Sequence, residues 1–416
     1  MKKLLAVLVV GMCVLSSVFV SAETVNIRYM GFTDPFGTEP ELKAMFEKQN
    51  PGITIEFVNA PEGGANRTHD KYVTMLAAGD SSIDVLNSDV IWPPELAAAD
   101  WLLPLDKWFS KEEQAKYIPA MIDAQTVGGH IYGVPWLADW GVLFYRKDIL
   151  AQAGVQVPKT WKEAIDIAVK LQKQPDLIGW VSSWKADQQL MCEFVEFLYS
   201  NGGEFLDPTG KKVMFNSPEG REAAQFMVDM ANKYKVVQPG NTTMDLDEGR
   251  TIFTNGKAIF HRNWLYVWAL AQHHEGSKVK DKVGIALVPT FKEDKVTCTL
   301  GGWSWSVNKF TKYPEAAAKV ALFLGGPEAQ KLRALKGNRV PPYLPVLNDP
   351  DVVAKNPEYL EMYKMSAYIK SRPKSPFYTQ MSDFMQAELQ NAILQKKTVE
   401  QAFNDAAAQI QPILEE

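Results

Sequence analysis

Residues Thr24 to Val58 read as strand, loop, helix, turn and strand, and this opening leaves the chain few folds to choose from. Thr24-Val25-Asn26-Ile27-Arg28-Tyr29 alternates in the period of a half-buried strand. The segment Glu41 to Gln49 places Leu42, Met45 and Phe46 on one helical face. Pro51-Gly52 then turns the chain into Ile53-Thr54-Ile55-Glu56-Phe57-Val58, a second strand. Two strands joined through a helix pair in parallel, and a parallel sheet carries helices on its faces. The expected class is therefore α/β.

The remainder continues in that manner. Ile83 to Asn87 is a short buried strand that runs into Ser88-Asp89, which places Asp89 at a strand's carboxyl end, where open α/β sheets hold ligands. Val142 to Tyr145, Ile178 to Val181, Gly256 to Phe260 and Val283 to Val288 read as further strands. Helices are expected at 162–172, 188–199, 218–234, 314–323 and 327–335. Capping-box patterns starting at Ser110, Thr160 and Thr398 mark three helix beginnings. If a helix also starts near Asn263, Trp264 and Trp268 share one of its faces.

Met1-Lys2-Lys3, the apolar run Leu4 to Val20 and the small residues before Glu23 form a secretory signal peptide, 1–22, cut after Ala22. Removing Lys2 and Lys3 takes the formal charge from −5 to −7, and such a chain without basic clusters does not suit nucleic acid or anionic lipid. The remaining cysteines, Cys192 and Cys298, allow one disulfide, but nothing in the sequence pairs them.

Catalytic signatures are missing: there is no H-E-x-x-H, no Cys–His spacing for zinc, no P-loop, no G-x-G-x-x-G and no G-x-S-x-G. No metal, cofactor or catalytic residue is assigned. What stands out is aromatics beside polar groups in distant segments: Trp136 to Trp140 around Asp139, His261 to Trp268, and Leu300-Gly301-Gly302-Trp303. A pyranose has apolar faces and a rim of hydroxyls. Aromatic plates suit the faces, and Asp89, Asp139 and the forked guanidinium of Arg372 suit the rim. A glycoside hydrolase with two cleft carboxylates uses the same stacking, and a polyamine receptor cages its cation in acids and aromatics. Arg372 weighs against a cation.

Taken in order, these stretches resemble the extracellular solute-binding proteins of sugar ABC importers, above all the trehalose/maltose branch. The resemblance rests on Ile83-Asp84-Val85 through Asp89 and Trp92, on Pro135 to Asp139 with Phe144-Tyr145-Arg146, and on Tyr199 to Gly203. It also rests on Arg262-Asn263-Trp264 with Tyr266 and Trp268, on Leu300 to Trp303, and on Arg372-Pro373. It implies a two-lobed periplasmic binding protein fold, type II and maltose-binding-protein-like, with a hinge and a ligand cleft between the lobes. The lobes would be 23–136 plus 291–340 and 137–290 plus 341–416. The resemblance further implies a monomer that takes an oligosaccharide and meets the permease subunits of an ABC transporter. By motif match, Asp89, Asp139, Trp264, Tyr266, Gly301, Trp303 and Arg372 line the cleft, with Arg67 by a looser match. Trp136 and Trp140 join them by their position around Asp139. An acidic residue is also expected after the first strand, where Asp34 and Glu39 both stand; Glu39 is carried forward and the choice stays open. Leu137 stands where close relatives have a Tyr, which leaves the sugar open.

Overall fold

The computed structural model describes residues 24–34, 36–61 and 64–415. The expected signal peptide, 1–22, lies outside the described residues. Among them no helix is long and apolar enough to cross a membrane.

The elements that position the site are, in chain order, β1 (Val25–Gly31), α1 (Glu39–Gln49), β2 (Ile53–Asn59), α2 (Ala65–Ala77), β3 (Val85–Asp89), α3 (Pro93–Ala98), α4 (Pro119–Gln125) and β4 (Val134–Arg146). Then come α5 (Trp161–Leu171), β5 (Ile178–Val181), α6 (Gln188–Ser200), α7 (Pro218–Asn232), β6 (Ala258–Trp264), α8 (Tyr266–His273) and β7 (Val283–Ala286). The last are β8 (Cys298–Val307), α9 (Pro314–Leu324), α10 (Pro327–Leu335), β9 (Ile369–Lys370), α11 (Tyr378–Ile393) and α12 (Val399–Ile413).

The sheet runs β2-β1-β3-β8-β4-β6-β5, with β9 beside β8 and β7 beside β4. As the opening βαβ unit requires, β1 and β2 are parallel, with Ile27 opposite Ile55. Two long strands stitch the sheet together. β8 pairs antiparallel with β3 on one side and with β4 on the other. β4 pairs with β8 up to Trp140 and with β6 from Gly141. The molecule thus has two lobes, one around β1 to β3 and one around β5 to β7, with β4 and β8 passing between them.

Each lobe has its own aromatic core. In the first, Tyr29 meets Trp305 edge-on at 5.7 Å between centroids. In the second, Trp161 stacks on Phe197 at 4.2 Å and lies 5.1 Å from Trp180. The capping boxes at Thr160 and Thr398 form in full, while Ser110 accepts only the Glu113 amide. Cys192 and Cys298 are buried and free.

One local expectation is corrected. No helix starts at Asn263; β6 continues through Trp264, and α8 begins at Tyr266. The run Ala258–Trp264 is almost wholly buried and pairs on both edges, so ladder bonds to β4 and β5 outweigh the 3.6-residue spacing of Trp264 and Trp268.

Candidate functional site

Register and parity build the site. Directly opposed residues of an antiparallel pair project from the same face, and so do residues two apart along one strand. Asp89 of β3 stands opposite Trp303 of β8. Trp303 and Gly301 stand opposite Leu137 and Asp139 of β4, and Gly141 stands opposite Trp264 of β6. Asp89, Trp303, Gly301, Asp139 and Trp264, which come from four distant segments, therefore share one face of the sheet.

Side-chain contacts agree with that parity. A Cβ built on Gly301 would lie 2.5 Å from Trp264 Cζ3, so the indole rests on the glycine backbone. The guanidinium of Arg262 is 4.3 Å from the Trp264 ring. Trp303 is half-buried and meets Phe32 at 4.4 Å and Trp92 at 5.3 Å, both edge-to-face. Gly301→Ala is expected to displace the Trp264 ring and weaken ligand binding about tenfold or more while the protein stays folded; titration beside a circular dichroism spectrum checks this.

Arg372 reaches Asp89 from the segment before α11. Its Nη2 donates to Asp89 Oδ1 at 3.2 Å, and its Nη1 to Gln188 Oε1 at 3.2 Å. Tyr378 donates to the same Gln188 oxygen at 3.0 Å. Burial pushes the Asp89 carboxyl up, and the charge of Arg372 works against that shift. The Arg372 Nε is buried with no hydrogen-bond partner among the described residues. A buried donor left unpaired costs about 1–3 kcal/mol, and a hydroxyl oxygen is one group able to relieve it.

Asp139 accepts the Leu265 amide at 2.7 Å and its neighbour Trp140's amide at 3.1 Å. Burial nevertheless pushes its carboxyl up to about 7, against those bonds and the charge of Arg339. Asp139, Leu137, Tyr266, Trp268, Arg339 and Glu358 line one pocket. Arg372, Leu300 and Lys374 line a second with Val90, Ile91 and Pro94. Because the native state holds a proton on Asp139 that the unfolded chain releases near pH 4, the group's contribution to stability falls as pH rises from about 4 to about 7. Asp139→Asn should remove that fall. Melts at pH 4.5 and pH 8 should show the variant gaining on the parent at the higher pH, by on the order of a few kcal/mol.

The other expected residues lie elsewhere. Trp140 is 0% exposed and opposes Leu300, so it projects from the opposite side of the sheet to Asp139 and offers a ligand no surface. Adjacent strand positions cannot share a face. Trp136 is 8% exposed, stacks on Trp305 at 5.5 Å and spends its Nε1 on Asn87. A register shift between Trp303 and Ser304 turns it into the first lobe's core. Glu39 accepts from the Tyr29 hydroxyl and from Arg333 at 3.3 Å. Asp34 accepts from the amides of Phe36, Thr38 and Glu39 at the start of α1. Both carboxylates are thus engaged within the first lobe. Arg67 is exposed in the first turn of α2. Phe32, Gln188 and Arg339 were not singled out by their sequence context. Phe32 and Arg339 stand in loops without a periodic pattern, and Gln188 reads only as a first helical residue.

The family model for bacterial extracellular solute-binding proteins matches residues 30–331. A Deinococcus radiodurans protein named "Probable ABC transporter-binding protein" is 32% identical over 355 residues, 83% of each chain. Among solved structures, maltose-bound T. maritima MalE3 is 35% identical with a TM-score of 0.87, covering 94% of this chain and 100% of that one. A solute-binding protein from Thermotoga lettingae bound with alpha-D-tagatose is 27% identical with a TM-score of 0.84, at 94% and 100% coverage.

Proposed function

The chain belongs to the bacterial extracellular solute-binding proteins, and from that premise we propose that it captures a small oligosaccharide outside the cytoplasm and delivers it to the membrane subunits of an ABC importer. The sugar is a glucose disaccharide such as trehalose or maltose. The protein acts as a monomer in the periplasm or extracytoplasmic space after cleavage behind Ala22.

One observation carries this reading: the strand register puts Trp264, Trp303 and Asp89 on a single face, and Arg372 is bonded to Asp89. Indole faces bury the apolar sides of a sugar ring, and the Asp–Arg pair offers both acceptor and donor to its hydroxyls. The similarity to a maltose-bound structure supports the disaccharide. Closure of the lobes, 23–136 plus 291–340 against 137–290 plus 341–416, would seal the site.

No bond chemistry is proposed. Asp89 is paired with the Arg372 guanidinium, whose charge works against the rise that burial gives its carboxyl, and the chain's family is one of binding proteins. That pairing also puts a positive charge where a polyamine would have to sit.

Calorimetric titration with trehalose, maltose, tagatose, mannitol and spermidine tests the reading. A saturable one-to-one heat is expected for a glucose disaccharide, which should be recovered intact after hours. Saturation by spermidine alone, or release of glucose, would overturn it.

A further inference from the structure

The segment 372–379 belongs to the second lobe by its packing: α11, which it opens, rests on α6, α7 and α12. Yet it bonds to the first lobe at three points. Arg372 meets Asp89 at the end of β3. Lys374 Nζ donates to the Asp123 carbonyl of α4 at 2.8 Å. Thr379 Oγ1 donates to Glu95 Oε2 of α3 at 2.7 Å. Behind Glu95 stands His69 of α2, with Nε2 3.0 Å from the same carboxylate oxygen. An ionised carboxylate only accepts, so this imidazole nitrogen carries the donated proton. Burial works against ionisation of Glu95, but the bonds from His69 and Thr379 prevail and hold its carboxyl below the usual range. One turn beyond Thr379, Asp383 faces Asp70, Glu95 and His69.

We propose that the chain Thr379–Glu95–His69 is a cross-lobe clasp, and that its members are positioning residues that keep Arg372 seated on Asp89. The proposal rests on the receptor reading above. The His69 ring lies 5.5 Å from that of Trp92, which in turn meets Trp303, so the variants that test the clasp leave His69 in place. The clasp's work is to lower the free energy of the closed arrangement alone, so a bound ligand leaves more slowly. His69 orients the carboxylate by donating to it.

The test separates closing from contact. Thr379→Val and Glu95→Leu each remove the clasp, the first by taking away the donor and the second the acceptor, without altering the residues of the ligand face. Stopped-flow measurement with the disaccharide that binds in the calorimetric panel should show dissociation about three- to tenfold faster in both variants, with the association rate unchanged. An unchanged dissociation rate in both, with the fold intact by circular dichroism, overturns the clasp. A second arm needs no ligand: with Glu95→Cys and Thr379→Cys combined, a short bismaleimide, which spans the gap left by the shortened side chain at position 95, should join the lobes in a cross-link seen by mass spectrometry. The native Cys192 and Cys298 are buried, which shields them from the reagent. Failure to cross-link overturns the contact. A protein that cross-links but binds no sugar removes the receptor reading and leaves the clasp standing.

Discussion

Glu196→Gln is expected to lower the unfolding free energy by about 3–5 kcal/mol, among the largest losses a single substitution here can produce. Glu196 is 2% exposed and Arg262 is 1% exposed. Arg262 Nε donates to Glu196 Oε2 at 2.8 Å and its Nη2 to Oε1, a bidentate pair. The Thr299 amide at the start of β8 donates to Oε1 at 3.0 Å. Neutralising the acid strands a guanidinium with no water to solvate it, and an amide offers only one acceptor where two are used. A Cβ on Gly141 would stand 2.0 Å from both partners, so no side chain is tolerated beneath the pair. Since Arg262 also lies over Trp264, ligand binding should weaken together with stability. Urea unfolding measures the loss directly. Replacing both partners with apolar residues should restore much of it, because the penalty comes from an unpaired charge rather than from a missing attraction. A loss under about 1 kcal/mol would mean that solvent reaches the pair.

Trp303→Ala should weaken binding of the proposed disaccharide by about 2–4 kcal/mol, roughly thirty- to a thousandfold. The ring is half-buried and held upright by Phe32 and Trp92, so its exposed part is available to a ligand. Truncation removes that surface and the edge contacts together. Stability should fall by no more than about 3 kcal/mol, since the side chain sits at the core's margin. Comparing titration heats with melting curves separates the two effects. Binding lost in proportion to folding would assign Trp303 to the core.

Much of the fold was legible in the sequence because periodicity and caps are local. The βαβ opening, the helices Trp161–Leu171, Gln188–Ser200, Pro218–Asn232, Pro314–Leu324 and Pro327–Leu335, and the position of Asp89 at the end of β3 all follow from residues within a few places of one another. The second lobe's division of labour was less so. Asp139 and Trp140 look equivalent in the sequence, yet a two-residue period puts them on opposite sides of the sheet. Trp136 required knowledge of the irregularity at Trp303/Ser304, which only pairing between strands reveals. Trp264 could have served a helix or a strand, and the ladder with Gly141 decided it. Glu39 was identifiable as an acid after β1 but not as the partner of Arg333, almost 300 positions away. The clasp is likewise invisible in sequence: Glu95 and Thr379 are 284 residues apart and neither belongs to a motif.

The most direct test of the central claim is a crystal structure of the protein grown with the sugar that titrates most tightly. The expected density is a ring stacked on Trp303 or Trp264, with hydroxyls within hydrogen-bonding distance of Asp89 and Arg372. Density for the sugar away from the face that β3, β8, β4 and β6 share, with those indoles untouched, would contradict it.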